Sequence, residues 1–120
     1  MTEYTMGEME EKFADLIWAN APVGSGELVK LAAGVLDWKK STTYTVLRRL
    51  CEKGLFVNEN GVVSVLMSKE QWKGMQSESF VKESFGGSLP MFLAAFTSRK
   101  KLTEDEIEAL RKMIAEADGK

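Results

Sequence analysis

Residues 37–55 run Asp37-Trp38-Lys39-Lys40-Ser41-Thr42-Thr43-Tyr44-Thr45-Val46-Leu47-Arg48-Arg49-Leu50-Cys51-Glu52-Lys53-Gly54-Leu55. Thr43, Val46, Leu47 and Leu50 recur at three- and four-residue spacing, which marks the inward stripe of an amphipathic helix. Ser41-Thr42 offers hydroxyls suited to capping the start. Gly54 suits the left-handed residue that follows a helix end. The spacing therefore predicts a helix from about Ser41 to Lys53. Its opposite side carries Ser41, Tyr44, Thr45 and Arg48, flanked by Arg49 and Glu52.

Upstream, Met6, Met9, Phe13, Leu16 and Ile17 fall on one helical face between Met6 and Asn20. Asn20-Ala21-Pro22 stops that helix, because proline disfavours a helical residue before it. Val23-Gly24-Ser25-Gly26 reads as a turn, with Ser25 as the cap of a second helix from about Gly26 to Leu36. Leu28, Leu31, Ala32 and Val35 lie on one side of it. Downstream the period changes to two. Leu55-Phe56-Val57 and Val62–Met67 are β-rich runs around Asn58-Glu59-Asn60-Gly61, and an Asn-Gly pair between such runs signals a hairpin.

Three helices followed by a hairpin outline a winged helix. The expected fold is mainly α with a small antiparallel β hairpin: an N-terminal winged helix-turn-helix over residues 1–67, then C-terminal dimerisation helices over 68–120. Ser68 to Gln71 has the form of a capping box opening the first tail helix. Ser88-Leu89-Pro90 tolerates proline in a first turn, and Leu89, Phe92, Leu93 and Phe96 follow as an apolar stripe. Thr103 to Glu106 is a second capping box, opening a helix with Ile107, Leu110, Met113 and Ile114 on one side. Short amphipathic helices outside a compact core need a surface to cover their stripes. A second copy of the chain is the simplest; folding back as extra core of a monomer is the alternative.

The 120 residues include 16 basic and 18 acidic side chains, for a formal charge of −2. A 44 % hydrophobic and 28 % charged composition is that of a globular chain rather than a disordered one. No histidine and one cysteine, Cys51, remove a disulfide framework, a Cys/His zinc site and every His-based triad. Neither a nucleophile–base pair nor a phosphate-cradling glycine loop is present, so an enzyme is the least favoured reading, and the expected protein works without a cofactor or metal. No apolar run reaches the 18 or so residues of a membrane span, and Met1-Thr2-Glu3-Tyr4 lacks the basic, then apolar, pattern of a leader. The cytoplasm is the expected location.

Charge is concentrated in one place. Between Asp37 and Gly54, five basic residues (Lys39, Lys40, Arg48, Arg49, Lys53) face two acidic ones, a local surplus of three in an acidic chain. A basic patch confined to one helix is a signal for nucleic acid, although a solvated helix face has the same composition. Element order favours DNA: in a helix-turn-helix the second helix enters the major groove with its N-terminal residues at the bases.

The quoted stretch resembles the recognition helix of the penicillinase-repressor family (BlaI/MecI/CopY): a tryptophan, a Thr-rich helix start, then Thr-x-Leu-x-x-Arg-Leu-x-x-Lys-Gly. The similarity extends upstream to Glu10 and Leu16-Ile17-Trp18, and downstream to Leu102-Thr103-x-x-Glu106-Ile107-x-x-Leu110, which is similar to the family's dimerisation tail. The resemblance implies a homodimeric bacterial repressor that binds double-stranded DNA at a palindromic operator. Ser41, Thr42, Tyr44 and Thr45 would lie at base edges or adjoining phosphates, with Lys39, Lys40, Arg48 and Arg49 anchoring the backbone. Arg49 has a competing reading as a salt bridge within the domain. Leu89, Phe92, Leu93, Phe96, Leu102, Ile107, Leu110, Met113 and Ile114 would form the dimer.

Three departures stand out. The tail has no cysteine cluster, which excludes copper sensing through thiolates. Ala95-Phe96 stands where the family's protease-sensitive members carry Asn-Phe, which speaks against a partner protease. The wing tip carries Glu59 where a basic residue would favour phosphate. Cys51 reads as a half-buried small hydrophobe; a redox role needs a lowered pKa, for which Arg48 or Lys53 would be the source. A winged-helix protein-interaction module without specific DNA binding is the rival reading, and a repressor that also binds a small ligand or metal in a pocket is a second.

Overall fold

The computed structural model describes residues 6–119, with side chains to Ala117; the leader reading of Met1–Tyr4 falls outside them. Six helices and three short strands follow in the order α1 (Glu8–Asn20), β1 (Val23–Gly24), α2 (Ser25–Leu36), α3 (Lys40–Glu52), β2 (Phe56–Glu59), β3 (Val62–Val65), α4 (Lys69–Phe85), α5 (Leu89–Arg99) and α6 (Glu104–Gly119). This is a winged helix followed by helices, mainly α with a small antiparallel sheet. None of the helices is long and apolar enough, among the described residues, to cross a membrane.

α1 opens with Glu8, Glu10 and Glu11, whose charges suit the positive end of the helix. It buries Phe13, Ala14 and Ile17. Met9, expected inward, is 43 % exposed, because the buried stripe centres one turn later. Val35 is a second correction, at 64 % exposure. The row that packs on α2 is Leu28, Ala32 and Leu36 at four-residue spacing, and Leu36 takes the place expected for Val35.

Val23-Gly24 is a strand rather than a plain turn. It pairs antiparallel with β3, Val23 opposite Val63, so the hairpin is part of a three-stranded sheet ordered β1-β3-β2. Ser25 is not a cap: Gly24 holds that position without a side-chain bond, and the Ser25 amide donates to Gly61 O at 2.7 Å. Two residues are too few to display a period.

The inward residues of α3 are as its spacing requires, with Thr43, Val46, Leu47 and Leu50 all buried. Each of the three aliphatic ones contributes about 1.5–3 kcal/mol by leaving water. The cap residue is Lys39, not Ser41 or Thr42, which sit in the first turn. At the far end Gly54 adopts φ 88°, and its amide and that of Leu55 donate to Cys51 O at 3.0 Å and Leu50 O at 3.1 Å. This double bond closes the helix and turns the chain into β2. The hairpin then reverses at Asn60 (φ 55°) and Gly61 (φ 79°), a two-residue turn that joins Glu59 to Val62.

The described residues form two compact units, divided after Ser79. In the first, Trp72 on α4 is 1 % exposed and belongs to the core with Phe13, Ile17, Leu28, Leu50, Phe56 and Val63. The Ser68 capping box is closed by reciprocal bonds with Gln71 at 2.9 and 3.1 Å. Trp18 donates to Met67 O at 2.9 Å and packs on Phe56, and Trp38 packs on Phe13. The tryptophans thus serve packing.

The second unit has a different character. Phe80, Phe85 and Phe92 meet edge to face at centroid separations of 5.5–6.0 Å. No residue of α5 is buried. Leu89, Phe96, Ile107, Met113 and Ile114 are exposed, and Phe92, Leu93, Leu102 and Leu110 are half-buried. The helices are nonetheless capped. Ser88 Oγ accepts from the Met91 amide at 3.1 Å, and Thr103 and Glu106 exchange bonds at 2.9 and 3.0 Å. Ala95-Phe96 lies inside helical α5.

Candidate nucleic-acid interface

α2, the Asp37-Trp38-Lys39 link and α3 form the helix-turn-helix. Asp37 takes a left-handed conformation (φ 60°, ψ 38°) that ends α2, and the chain restarts three residues later. Burying Thr43, Val46, Leu47 and Leu50 fixes the rotation of α3, so Lys39, Lys40, Ser41, Thr42, Arg48 and Arg49 are brought to the surface together. Among the described residues, Lys39, Lys40 and Arg48 have no ion-pair partner.

The hydroxyls differ from one another. Thr43 Oγ1 donates to Lys39 O at 3.1 Å, inside the core. Thr45 Oγ1 donates to Ser41 O at 2.9 Å, leaving its oxygen lone pairs and methyl group for a ligand. Tyr44 is half-buried and turned inward: its hydroxyl donates to Ser25 Oγ at 3.2 Å. The sequence, which puts Tyr44 on the exposed face, contains no signal for a bond 19 residues back.

Arg49 is already engaged. Its Nη1 donates to Glu10 Oε2 at 3.2 Å, and Lys53 Nζ lies 3.8 Å from the other oxygen. Burial pushes the Glu10 pKa up, but the Gly7 amide, the Arg49 bond and the nearby Lys53 and Arg49 charges outweigh it, and the carboxyl lies below its usual range. Glu10 is the site residue that spacing along α3 does not reveal, being 39 positions away.

A groove of about 540 Å³ is lined by Leu47, Arg48 and Cys51 of α3 and by Phe56, Val57 and Leu66 of the hairpin segment. Burial raises the Cys51 pKa, an Asn58 backbone bond opposes it and the Glu52 charge adds to the rise. The shift is upward, the opposite of the lowered pKa that a redox-sensing thiolate needs. At the wing, Asn58, Glu59 and Asn60 are all exposed, and Glu59 is the charged one.

The arrangement offers a polar helix start whose cations have no ion-pair partner among the described residues, in a helix-turn-helix frame. Residues 6–116 match the family described as penicillinase repressor. The chain is 24 % identical to the methicillin resistance regulatory protein MecI of Staphylococcus aureus (strain Mu50) over 115 residues, covering 92 % of this chain and 94 % of that protein. It is 23 % identical to MecI of Mammaliicoccus sciuri with the same coverage. With the penicillinase repressor of Bacillus licheniformis it shares 24 % identity over 92 % of this chain and 90 % of that one. A match that runs through both the winged helix and the tail makes this chain a member of the penicillinase-repressor family of transcriptional repressors.

Proposed function

We propose that the protein is a dimeric, sequence-specific DNA-binding repressor that occupies a palindromic operator, with residues 1–67 reading DNA and residues 68–120 pairing two copies. The observation that carries the reading is the exposed start of α3, where Lys39, Lys40 and Arg48 surround Ser41, Thr42 and Thr45 without ion-pair partners among the described residues. In this reading Ser41, Thr42 and Thr45 meet base edges. Tyr44 supports them from the helix edge, and Lys39, Lys40 and Arg48 grip phosphates. Arg49 adjoins the group but is bonded to Glu10. Pairing through the exposed stripes of Leu89, Phe96, Ile107, Met113 and Ile114 sets two α3 helices roughly 34 Å, or a multiple of it, apart.

Glu59 at the wing favours a second reading, a winged-helix module that binds protein, because a carboxylate there repels phosphate. One experiment separates the two: selection of bound duplexes from a random pool at about 0.15 M salt, with the mass of the protein in solution. An enriched palindrome bound by a species near twice 13.4 kDa supports the repressor. Absence of enrichment supports the interaction module.

Two variants test the assigned roles. Arg48→Ala and Lys40→Ala are each expected to weaken binding to all sequences and to reduce the slope of log affinity against log salt by about 0.9. An unchanged slope in both removes them from the interface. Thr45→Ala is expected to flatten the preference at one base pair per half-site by on the order of 1 kcal/mol. A selection profile identical to that of the parent excludes direct readout by Thr45.

A further inference from the structure

Ser41, Thr45, Arg49 and Lys53 stand four residues apart and so form one row along α3 and its cap. The first two belong to the half assigned to the bases, and the last two are cations. Both cations meet Glu10 of α1, at 3.2 and 3.8 Å. The Glu10 side chain is 18 % exposed and also accepts the Gly7 amide at 3.1 Å, so the chain holds it in place. A carboxylate with one oxygen on an arginine and the other near a lysine occupies those cations much as a DNA phosphate does.

We propose, on the reading that α3 binds DNA, that Glu10 is an internal stand-in for a phosphate: it keeps Arg49 and Lys53 occupied and thereby holds down sequence-independent binding to DNA. Arg49 lies about 6 Å and Lys53 about 12 Å beyond Thr45 along the helix axis. The major groove is about 12 Å wide, so a row whose start is at the bases ends near the flanking backbone. Non-specific affinity follows the number of phosphates a protein neutralises. Withholding two cations reduces that contribution while leaving Ser41 and Thr45 free to read sequence.

The test compares the parent, Glu10→Gln and Glu10→Gln/Arg49→Gln on a random-sequence duplex across a salt series, with urea unfolding of each. Glutamine keeps an oxygen for the Gly7 amide and removes the charge. The single variant is expected to steepen the salt slope by about 0.9 per released cation, up to about 1.8, and to bind about 3- to 10-fold more tightly at low salt. Adding Arg49→Gln should reverse about half of the steepening. A folded Glu10→Gln protein with an unchanged or shallower slope overturns the proposal, because it leaves Glu10 a purely structural bond.

Arg49→Gln alone serves if Glu10→Gln does not fold. It is expected to keep the parental slope, whereas Arg48→Gln flattens it by about 0.9. Equal flattening by both overturns the proposal, since Arg49 would then already be in use. A parent protein that binds no DNA overturns the proposed function and this inference together. A parent that selects a palindrome while Glu10→Gln leaves the slope unmoved overturns this inference alone.

Discussion

A Met113→Asp/Ile114→Asp variant is expected to run at 13.4 kDa, half the mass of the proposed dimer, and to lose operator binding by about 10²–10⁴-fold, the avidity supplied by linking two half-site readers. Both side chains project from α6 with exposures of 59 % and 65 %, so in a single copy of the chain they fill no core. The helix they stand on is capped by the reciprocal Thr103–Glu106 bonds, which the substitutions do not touch. Folding of one copy should therefore be unaffected, and far-ultraviolet circular dichroism should retain the helical signal. A dimer contact would bury these positions, and an unpaired carboxylate in an apolar interface is costly. The half-site readers themselves remain intact, so binding to a single half-site should persist at its low intrinsic affinity. A variant that still has the parental mass places the interface elsewhere. A parent that is itself a monomer removes pairing from the function.

The parts of this fold legible in the sequence are those whose cause is local. The buried row of α3 follows from a 3.6-residue period, and the Gly54 closure and the Asn60-Gly61 turn follow from residues that accept positive φ. The Ser68 and Thr103 capping boxes join residues three apart, and both are present. What the sequence does not disclose involves partners far along the chain. β1 exists because β3 offers it a ladder, and a two-residue strand leaves no pattern. Val35 is exposed because the face of α2 that packs is set by α1 and α3 rather than by α2 itself. The Glu10–Arg49 and Tyr44–Ser25 bonds span 39 and 19 residues. They alter the candidate interface in opposite senses to a simple list of polar residues on α3: one cation is occupied and one hydroxyl is turned inward.

Trp72→Ala is expected to destabilise the first unit by about 3–5 kcal/mol, a large share of the roughly 5–15 kcal/mol that holds a domain together. Trp72 comes from α4, beyond the hairpin, yet it is 1 % exposed and packs in the same core as Phe13, Ile17, Leu50 and Phe56. The winged helix is thus incomplete without the first turns of the following helix. Two ion pairs also hold that segment to α1, Lys69 with Asp15 at 2.8 Å and Lys73 with Glu11 at 3.1 Å. Their side chains are all more than 40 % exposed, and pairs of that kind contribute about 0–1 kcal/mol each. They cannot offset the loss of the indole. Urea unfolding should therefore rank the variants, with Trp72→Ala shifting the midpoint far more than Lys69→Ala or Lys73→Ala. Trp72→Phe should fall between, because it retains part of the apolar surface. Equal shifts for Trp72→Ala and Lys69→Ala would show that α4 is held by surface charge and adds nothing to the core. α4 continues to Phe85, past the division at Ser79. The helix that completes the core of the first unit is then also the one that begins the proposed pairing region, and, if α3 reads DNA as proposed, loosening Trp72 should weaken operator binding even though no residue at the α3 surface has changed.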